Sequence, residues 1–114
     1  SVALDLAARG WRVFAGVRKA PDAKALRKDA TGELTPLILD VARLDSVEAA
    51  TAAVAEATGG TLDALVNNAG VYLGGPLELM RPEEIDQTFA VNVQGLLYLT
   101  RACLPLLRAA RGRI

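Results

Sequence analysis

The stretch of this chain best equipped for chemistry is Leu62-Asp63-Ala64-Leu65-Val66-Asn67-Asn68-Ala69-Gly70. A short, mostly apolar run, preceded by Gly59-Gly60, stops abruptly at two asparagines, an alanine and a glycine. Such a run, from Leu62 to Val66, fits a strand buried on both faces of a parallel sheet. The amides of Asn67 and Asn68 can donate to and accept from loose backbone groups. Ala69 and Gly70 carry almost no side chain, so a ligand can approach the main chain closely. In open α/β sheets, ligands sit beyond the carboxyl ends of the strands. The same four residues equally suit a plain Asn/Gly turn after a strand.

The rest of the composition narrows the chemistry. The 114 residues are enough for one domain, and with 52% of them apolar a packed core is feasible. Lysine plus arginine and aspartate plus glutamate each number 13, without a long single-sign run, which argues against a dedicated nucleic-acid or acidic-membrane surface. Histidine is absent, removing the commonest general base and metal ligand, and no metal site is expected. The single cysteine, Cys103, lies in an apolar helical pattern and reads as a small core residue; one unpaired thiol is compatible with a cytoplasmic setting. Residues Ser1 to Arg9 include Asp5 and lack a basic leader, so no signal peptide is expected. The most apolar region, Gly95 to Leu107, is interrupted by Arg101 and Pro105 and reads as too short to span a bilayer.

The elements alternate. Ser1 to Arg9 reads as a helix with Gly10 as its stop, Trp11 to Val17 as a strand, and Pro21 to Ala30 as a short helix whose only large anchor is Leu26. Leu34 to Leu39 is a strand with Pro36 inside it, which demands an edge position or a start at Pro36. Asp45, with Glu48 three residues on, reads as a helix cap; the helix then runs to Thr58 with Val47, Ala50, Val54 and Ala57 inward. After the Leu62–Val66 strand and a loop over Val71 to Met80, Pro82 starts a helix suited by Glu83 and Glu84. That helix is expected to reach Ala110, with a bend near Asn92 to Gly95 and a second irregularity at Pro105. Gly112-Arg113-Ile114 reads as a turn entering another strand. This order predicts an α/β fold with a parallel sheet and right-handed crossovers. A chain that opens inside a helix without a methionine reads as cut.

Asn67-Asn68-Ala69-Gly70, followed by Val91-Asn92-Val93-Gln94-Gly95 and preceded by Asp40-Val41, resembles the classical short-chain dehydrogenase/reductase family along the whole chain. The resemblance implies a partial Rossmann-type doubly wound parallel sheet, three-layered α/β/α, with the first strand and the carboxyl-terminal half missing. Residues 1–114 are then a fragment of a single dinucleotide-binding domain, inactive by itself. The family's strand order, 3-2-1-4-5 with strand 1 absent, implies parallel pairing of the strands around Val13–Val17 and Leu37–Leu39. The family's glycine-rich turn would precede Ser1, and its catalytic Ser and Tyr-x-x-x-Lys would follow Ile114. Neither Tyr72 nor Tyr98 has a lysine four residues on.

The resemblance also assigns roles. Arg18, with Lys19 beside it, ends the second family strand and would pair with the 2′-phosphate of NADP, making NAD the less favoured cofactor. Asp40 would accept from the adenine amino group, with the Val41 backbone alongside. Asn67 would stabilise the central sheet, with Asn68 next to it, while Ala69 and Gly70 let the adenosine ribose approach. Asn92 is the helix asparagine of the family's Asn-Ser-Tyr-Lys tetrad, where its main-chain carbonyl holds a proton-relaying water. The implied activity is hydride transfer between NADP(H) and a carbonyl or secondary alcohol; the alternative is a non-catalytic dinucleotide sensor or scaffold. Val71, Tyr72, Leu73, Leu77, Leu79 and Met80 hint at an apolar substrate such as a retinoid, steroid or fatty alcohol. In the family the long helix ending near Ala110 often joins a subunit interface, and Leu96, Leu97, Leu99 and Leu104, spread around more than one face, permit a homo-oligomer of the parent protein.

Overall fold

The computed structural model describes residues 1–72 and 75–114. Leu73 and Gly74, both placed in the loop after the Asn-Asn-Ala-Gly turn, lie outside the described residues. Two compact units, Ser1–Asp40 and Val41–Ile114, are each described by themselves.

The first unit contains α1 (Val2–Ala8), β1 (Val13–Val17), α2 (Ala20–Asp29) and β2 (Leu34–Ile38). The Ser1 hydroxyl accepts from the Leu4 amide at 3.4 Å and so caps α1. Gly10 ends α1 with φ +90°, a left-handed conformation that glycine takes without a Cβ clash. As the resemblance implies, β1 and β2 pair in parallel, from Val13 opposite Leu34 to Val17 opposite Ile38. Pro36 sits inside the ladder opposite Ala15. The Val13 amide donates to the Glu33 carbonyl at 2.9 Å and the Leu39 amide to the Val17 carbonyl at 2.8 Å. Backbone groups alternate sides along a strand, so the odd-numbered residues of β2 face β1. The missing N–H of Pro36 therefore falls on the side away from β1, where the ladder needs no donor. Gly32 lets the turn before β2 approach α1, since a Cβ there would collide with the Ala7 carbonyl.

The second unit contains α3 (Leu44–Thr58), a 3-10 turn (Leu77–Leu79), α4 (Pro82–Phe89), a π-helical segment (Ala90–Gly95) and α5 (Leu96–Ala110). Its core lies between α3 and α5: Val47, Ala50 and Val54 of the first, Cys103, Leu106 and Leu107 of the second. Val47 is fully buried. Gly59, in left-handed conformation at φ +71°, ends α3 as its sequence predicts. Asp45 is not its cap, however. The helix begins two residues earlier than a cap at Asp45 requires, at Leu44, with Arg43 at the cap position and no side-chain cap bond. Asp45 instead accepts from the Arg43 guanidinium at 2.8 Å and from the Ser46 amide, and the Arg43 contact holds its carboxyl below the usual range. At α4, Pro82 takes the first helical position and the Glu84 carboxylate accepts from the Arg81 amide at 3.0 Å, a bond that lowers the Glu84 pKa.

Leu62–Val66 does not form a strand buried on both faces. It is extended with one parallel bridge, Ala64 to Arg113, closed by Leu65 N–H to the Arg113 carbonyl (2.9 Å) and Arg113 N–H to the Asp63 carbonyl (3.0 Å). Val66 remains 53% exposed. A ladder extends only where a neighbouring backbone runs alongside, and among the described residues Arg113 is the one bridged to this segment. Gly112-Arg113 enters this pairing as the expected strand start.

The expected bend near Asn92–Gly95 is the π-helical segment, where the hydrogen-bonded turn widens. Pro82–Ala110 is thus one continuous helical run of 29 residues, long and apolar enough by length and composition to cross a membrane. The helix reaches Ala110 as expected, but the reading of its apolar part as too short to span a bilayer does not hold by length, since neither Arg101 nor Pro105 ends the helix. Both lie on the exposed side of α5, where water can satisfy the Arg101 carbonyl that loses its donor at Pro105.

Gly95 shows why the widened turn ends in a glycine. A Cβ there would stand 2.7 Å from Val41 Cγ2 and 2.9 Å from the Val41 carbonyl oxygen. Replacing a helical glycine by alanine gains at most about 1 kcal/mol of propensity, whereas overpacking against a backbone atom costs roughly 1–3 kcal/mol. Gly95→Ala is therefore expected to destabilise the protein by about 1–2 kcal/mol, read as a lowered urea midpoint at unchanged m-value; a raised midpoint would show that Val41 yields freely.

Candidate functional site

Asn67 to Val71 follows the Ala64–Arg113 bridge and is held at both ends by the long helix. At one end, the Asn67 amide donates to the Thr100 hydroxyl of α5 at 3.1 Å. At the other, Asn92 of the π segment takes both backbone groups of Val71: its Oδ1 accepts the Val71 N–H and its Nδ2 donates to the Val71 carbonyl, each at 2.8 Å. Asn67, Val71, Asn92 and Thr100 are half-buried, while Asn68, Ala69 and Gly70 between the anchors are exposed. Among the described residues, a Cβ on Gly70 would meet Asn92 Oδ1 at 3.5 Å, an ordinary contact. An open backbone stretch is thus suspended between two fixed points.

Val41 belongs to the same unit and packs its side chain and carbonyl against Gly95, one turn beyond Asn92. The structure therefore brings Val41, Asn67, Asn68, Ala69, Gly70 and Asn92 onto the elements around one helix segment. Arg18 and Asp40 lie in the first unit. Arg18 is the first residue beyond β1, and Asp40 stands two residues beyond β2, past the paired Val17 and Ile38. Both therefore lie beyond the carboxyl ends of adjacent parallel strands, where ligands bind in open α/β sheets. Arg18 and Lys19 are exposed, and neither side chain forms an ion pair among the described residues.

The cluster around 67–71 offers amides and main-chain groups, chemistry that can hold and orient a ligand. It contains no acid or base. Cys103 is buried on the far side of α5 against α3; burial pushes its thiol pKa up, partly offset by a hydrogen bond with Thr51, which leaves it unsuited to act as a nucleophile. Among the described residues no group of three or more His, Cys, Asp or Glu could hold a metal ion. Of the residues expected to line an apolar pocket, Tyr72 is 91% exposed and Leu77 and Leu79 are exposed on the 3-10 turn, whereas Val71 and Met80 are half-buried.

The sequence reading missed Thr100. No sequence signal sets it apart, because Thr100 lies in a helix as Thr51, Thr58 and Thr88 do. For Asn92 the reading placed the function on the main-chain carbonyl; the side chain, which pins the loop, went unremarked.

Asn92→Ala leaves the Val71 N–H and C=O without partners, at a cost of roughly 1–3 kcal/mol, with faster amide exchange at Val71. Asn92→Asp keeps the acceptor but sets a carboxylate oxygen against the Val71 carbonyl. Its folded-state pKa is then raised, so its stability is best at low pH and falls as pH rises through that pKa. Equal stability of the aspartate variant at pH 4 and pH 8 would refute the two-bond clamp.

The profile of the short chain dehydrogenase family matches residues 1–114. Retinol dehydrogenase 16 of Rattus norvegicus is 40% identical over 99% of this chain, and 17-beta-hydroxysteroid dehydrogenase type 6 of Bos taurus is 42% identical over 97% of it. The chain covers 36% and 35% of the lengths of these relatives. Among solved structures, a metagenomic short-chain oxidoreductase in complex with NADP superimposes with a TM-score of 0.86 at 36% identity, over 98% of this chain and 52% of that one. With a profile match from the first residue to the last, a Rossmann-like structural neighbour and the Asn67–Val71 turn held by a long helix, this chain belongs to the short-chain dehydrogenase family.

Proposed function

We propose that residues 1–114 form part of the dinucleotide-binding domain of an oxidoreductase that transfers a hydride between NADP(H) and a carbonyl or secondary alcohol. The observation that carries this reading is the exposed Asn68-Ala69-Gly70 backbone, held between Thr100 and Asn92, in a chain of this family. The nicotinamide supplies the hydride chemistry when bound. The chain's own residues bind and orient it.

In the first unit, Arg18 would pair its guanidinium with the 2′-phosphate, and Asp40 would accept from the adenine amino group. In the second, the Val41 backbone would lie alongside the adenine, and Ala69 and Gly70 would admit the adenosine ribose. Asn67 and Asn92 would keep that stretch in place, and Asn92 would reach the reacting centre through its main-chain carbonyl. The apolar residues Val71, Tyr72, Leu77, Leu79 and Met80, together with relatives named for retinol and hydroxysteroids, support an apolar alcohol or ketone as substrate. The exposed Phe89, Val93, Leu96 and Leu97 of the long helix support a homo-oligomer. The unpaired buried thiol of Cys103 fits a reducing, cytoplasmic setting.

The cofactor preference is tested at Arg18 in the full-length protein. Arg18 is exposed, so its contact with the 2′-phosphate is partly solvated and should account for about tenfold to a hundredfold preference for NADPH over NADH. Arg18→Asp should remove that preference chiefly through the KM for the cofactor, with kcat little changed, because the 2′-phosphate lies far from the hydride. Lys19 can mask part of the effect, so the double variant with Lys19→Ala is the cleaner comparison. A wild-type protein that already prefers NADH would refute the assignment of Arg18.

A further inference from the structure

Four threonines lie in the helices of the second unit, and three use their hydroxyls in the same local way. Thr51 donates to the Val47 carbonyl at 2.8 Å, Thr58 to Val54 at 2.9 Å and Thr88 to Glu84 at 2.8 Å, each four residues back. Thr100 differs: among the described residues, the partner of its hydroxyl is the Asn67 amide, 33 positions away in sequence. That bond secures the amino end of a segment whose carboxyl end is clamped by Asn92.

The π segment lets one helix hold both ends. Asn92 and Thr100 are eight residues apart, which in a pure α-helix of 3.6 residues per turn would leave them about 80° apart around the axis. The wider π turn over Ala90–Gly95 rotates less per residue and reduces that angle, turning both side chains toward Asn67–Val71.

We infer that Thr100 is a positioning residue for dinucleotide binding: through Asn67 it sets the height and path of the exposed Asn68-Ala69-Gly70 backbone, and the π segment sets its register with the Asn92 clamp. This rests on the dinucleotide-binding reading given above. Thr100 does not touch the cofactor. Its contribution is to remove slack from the segment that does, so its loss should weaken binding without altering the reacting groups.

The test uses the full-length protein with Thr100→Val, which keeps the shape and deletes the hydroxyl, and Thr100→Ser, which keeps the hydroxyl and deletes the methyl. Thr100→Ala, a strong helix former, replaces the valine variant if that variant fails to fold. NADPH affinity and the KM for NADPH should worsen about fivefold to tenfold in the valine variant, with kcat at saturating NADPH within about twofold of wild type, and the serine variant should recover most of the loss. Amide exchange at Asn68 to Val71 should accelerate in the valine variant and return in the serine variant. Wild-type NADPH affinity in the valine variant, or a serine variant as impaired as valine, overturns the inference. The exchange measurement separates the two readings. If wild-type protein binds no dinucleotide, the proposed function fails while exchange still reports whether Thr100 holds the segment; unchanged exchange in the valine variant removes the brace itself.

Discussion

Val71 gives both of its backbone hydrogen-bonding groups to one side chain, and the second unit is arranged around that exchange. A loop leaving an extended segment has no ladder to satisfy its N–H and C=O, and a half-buried backbone cannot leave them unpaired without cost. Asn92 is suited to the task because a carboxamide presents a donor and an acceptor side by side. Aspartate lacks the donor and leucine lacks both. The constraint reaches outward from there. Asn92 must sit on a rigid element, the helix must turn so that it faces the loop, and a second anchor must stop the segment from pivoting. The Asn67–Thr100 bond is that second anchor.

Packing serves the same end. The helix carrying Asn92 and Thr100 is fixed on α3 by Cys103, Leu106 and Leu107 against Val47, Ala50 and Val54. Small residues dominate the α3 side, which permits close approach. Gly95 allows closer approach still, bringing the Val41 carbonyl to the end of the π segment. The Asn67–Val71 segment is supported by apolar contacts behind the helix that holds it, while the main chain of Asn68, Ala69 and Gly70 remains exposed.

Charge plays a smaller part. The ion pairs Arg12–Glu33, Arg43–Asp45 and Arg81–Glu84 are largely solvated and trim local geometry more than they stabilise the fold. Arg12 also lies 5.3 Å from the centre of the Phe14 ring, covering part of β1. Arg18 and Lys19 form no such ion pairs among the described residues.

Much of this was legible in the residues. The positions of the helices, the stop at Gly59, the start at Pro82 and an irregularity between Asn92 and Gly95 follow from apolar periodicity, glycine and proline, whose effects are local and act wherever the residue stands. The parallel pairing of β1 with β2 followed from the family resemblance. What the residues did not determine were features that need a partner distant in sequence. Leu62–Val66 has the composition of a buried strand yet forms a single bridge, because a strand exists only where another backbone runs beside it. Asp45 has the pattern of a cap yet pairs with Arg43, because the helix begins two residues earlier than that cap requires. Thr100 is indistinguishable in sequence from Thr51, Thr58 and Thr88. Only the tertiary structure, by carrying Asn67 to within 3.1 Å of it, decided that its hydroxyl would hold a loop instead of its own helix.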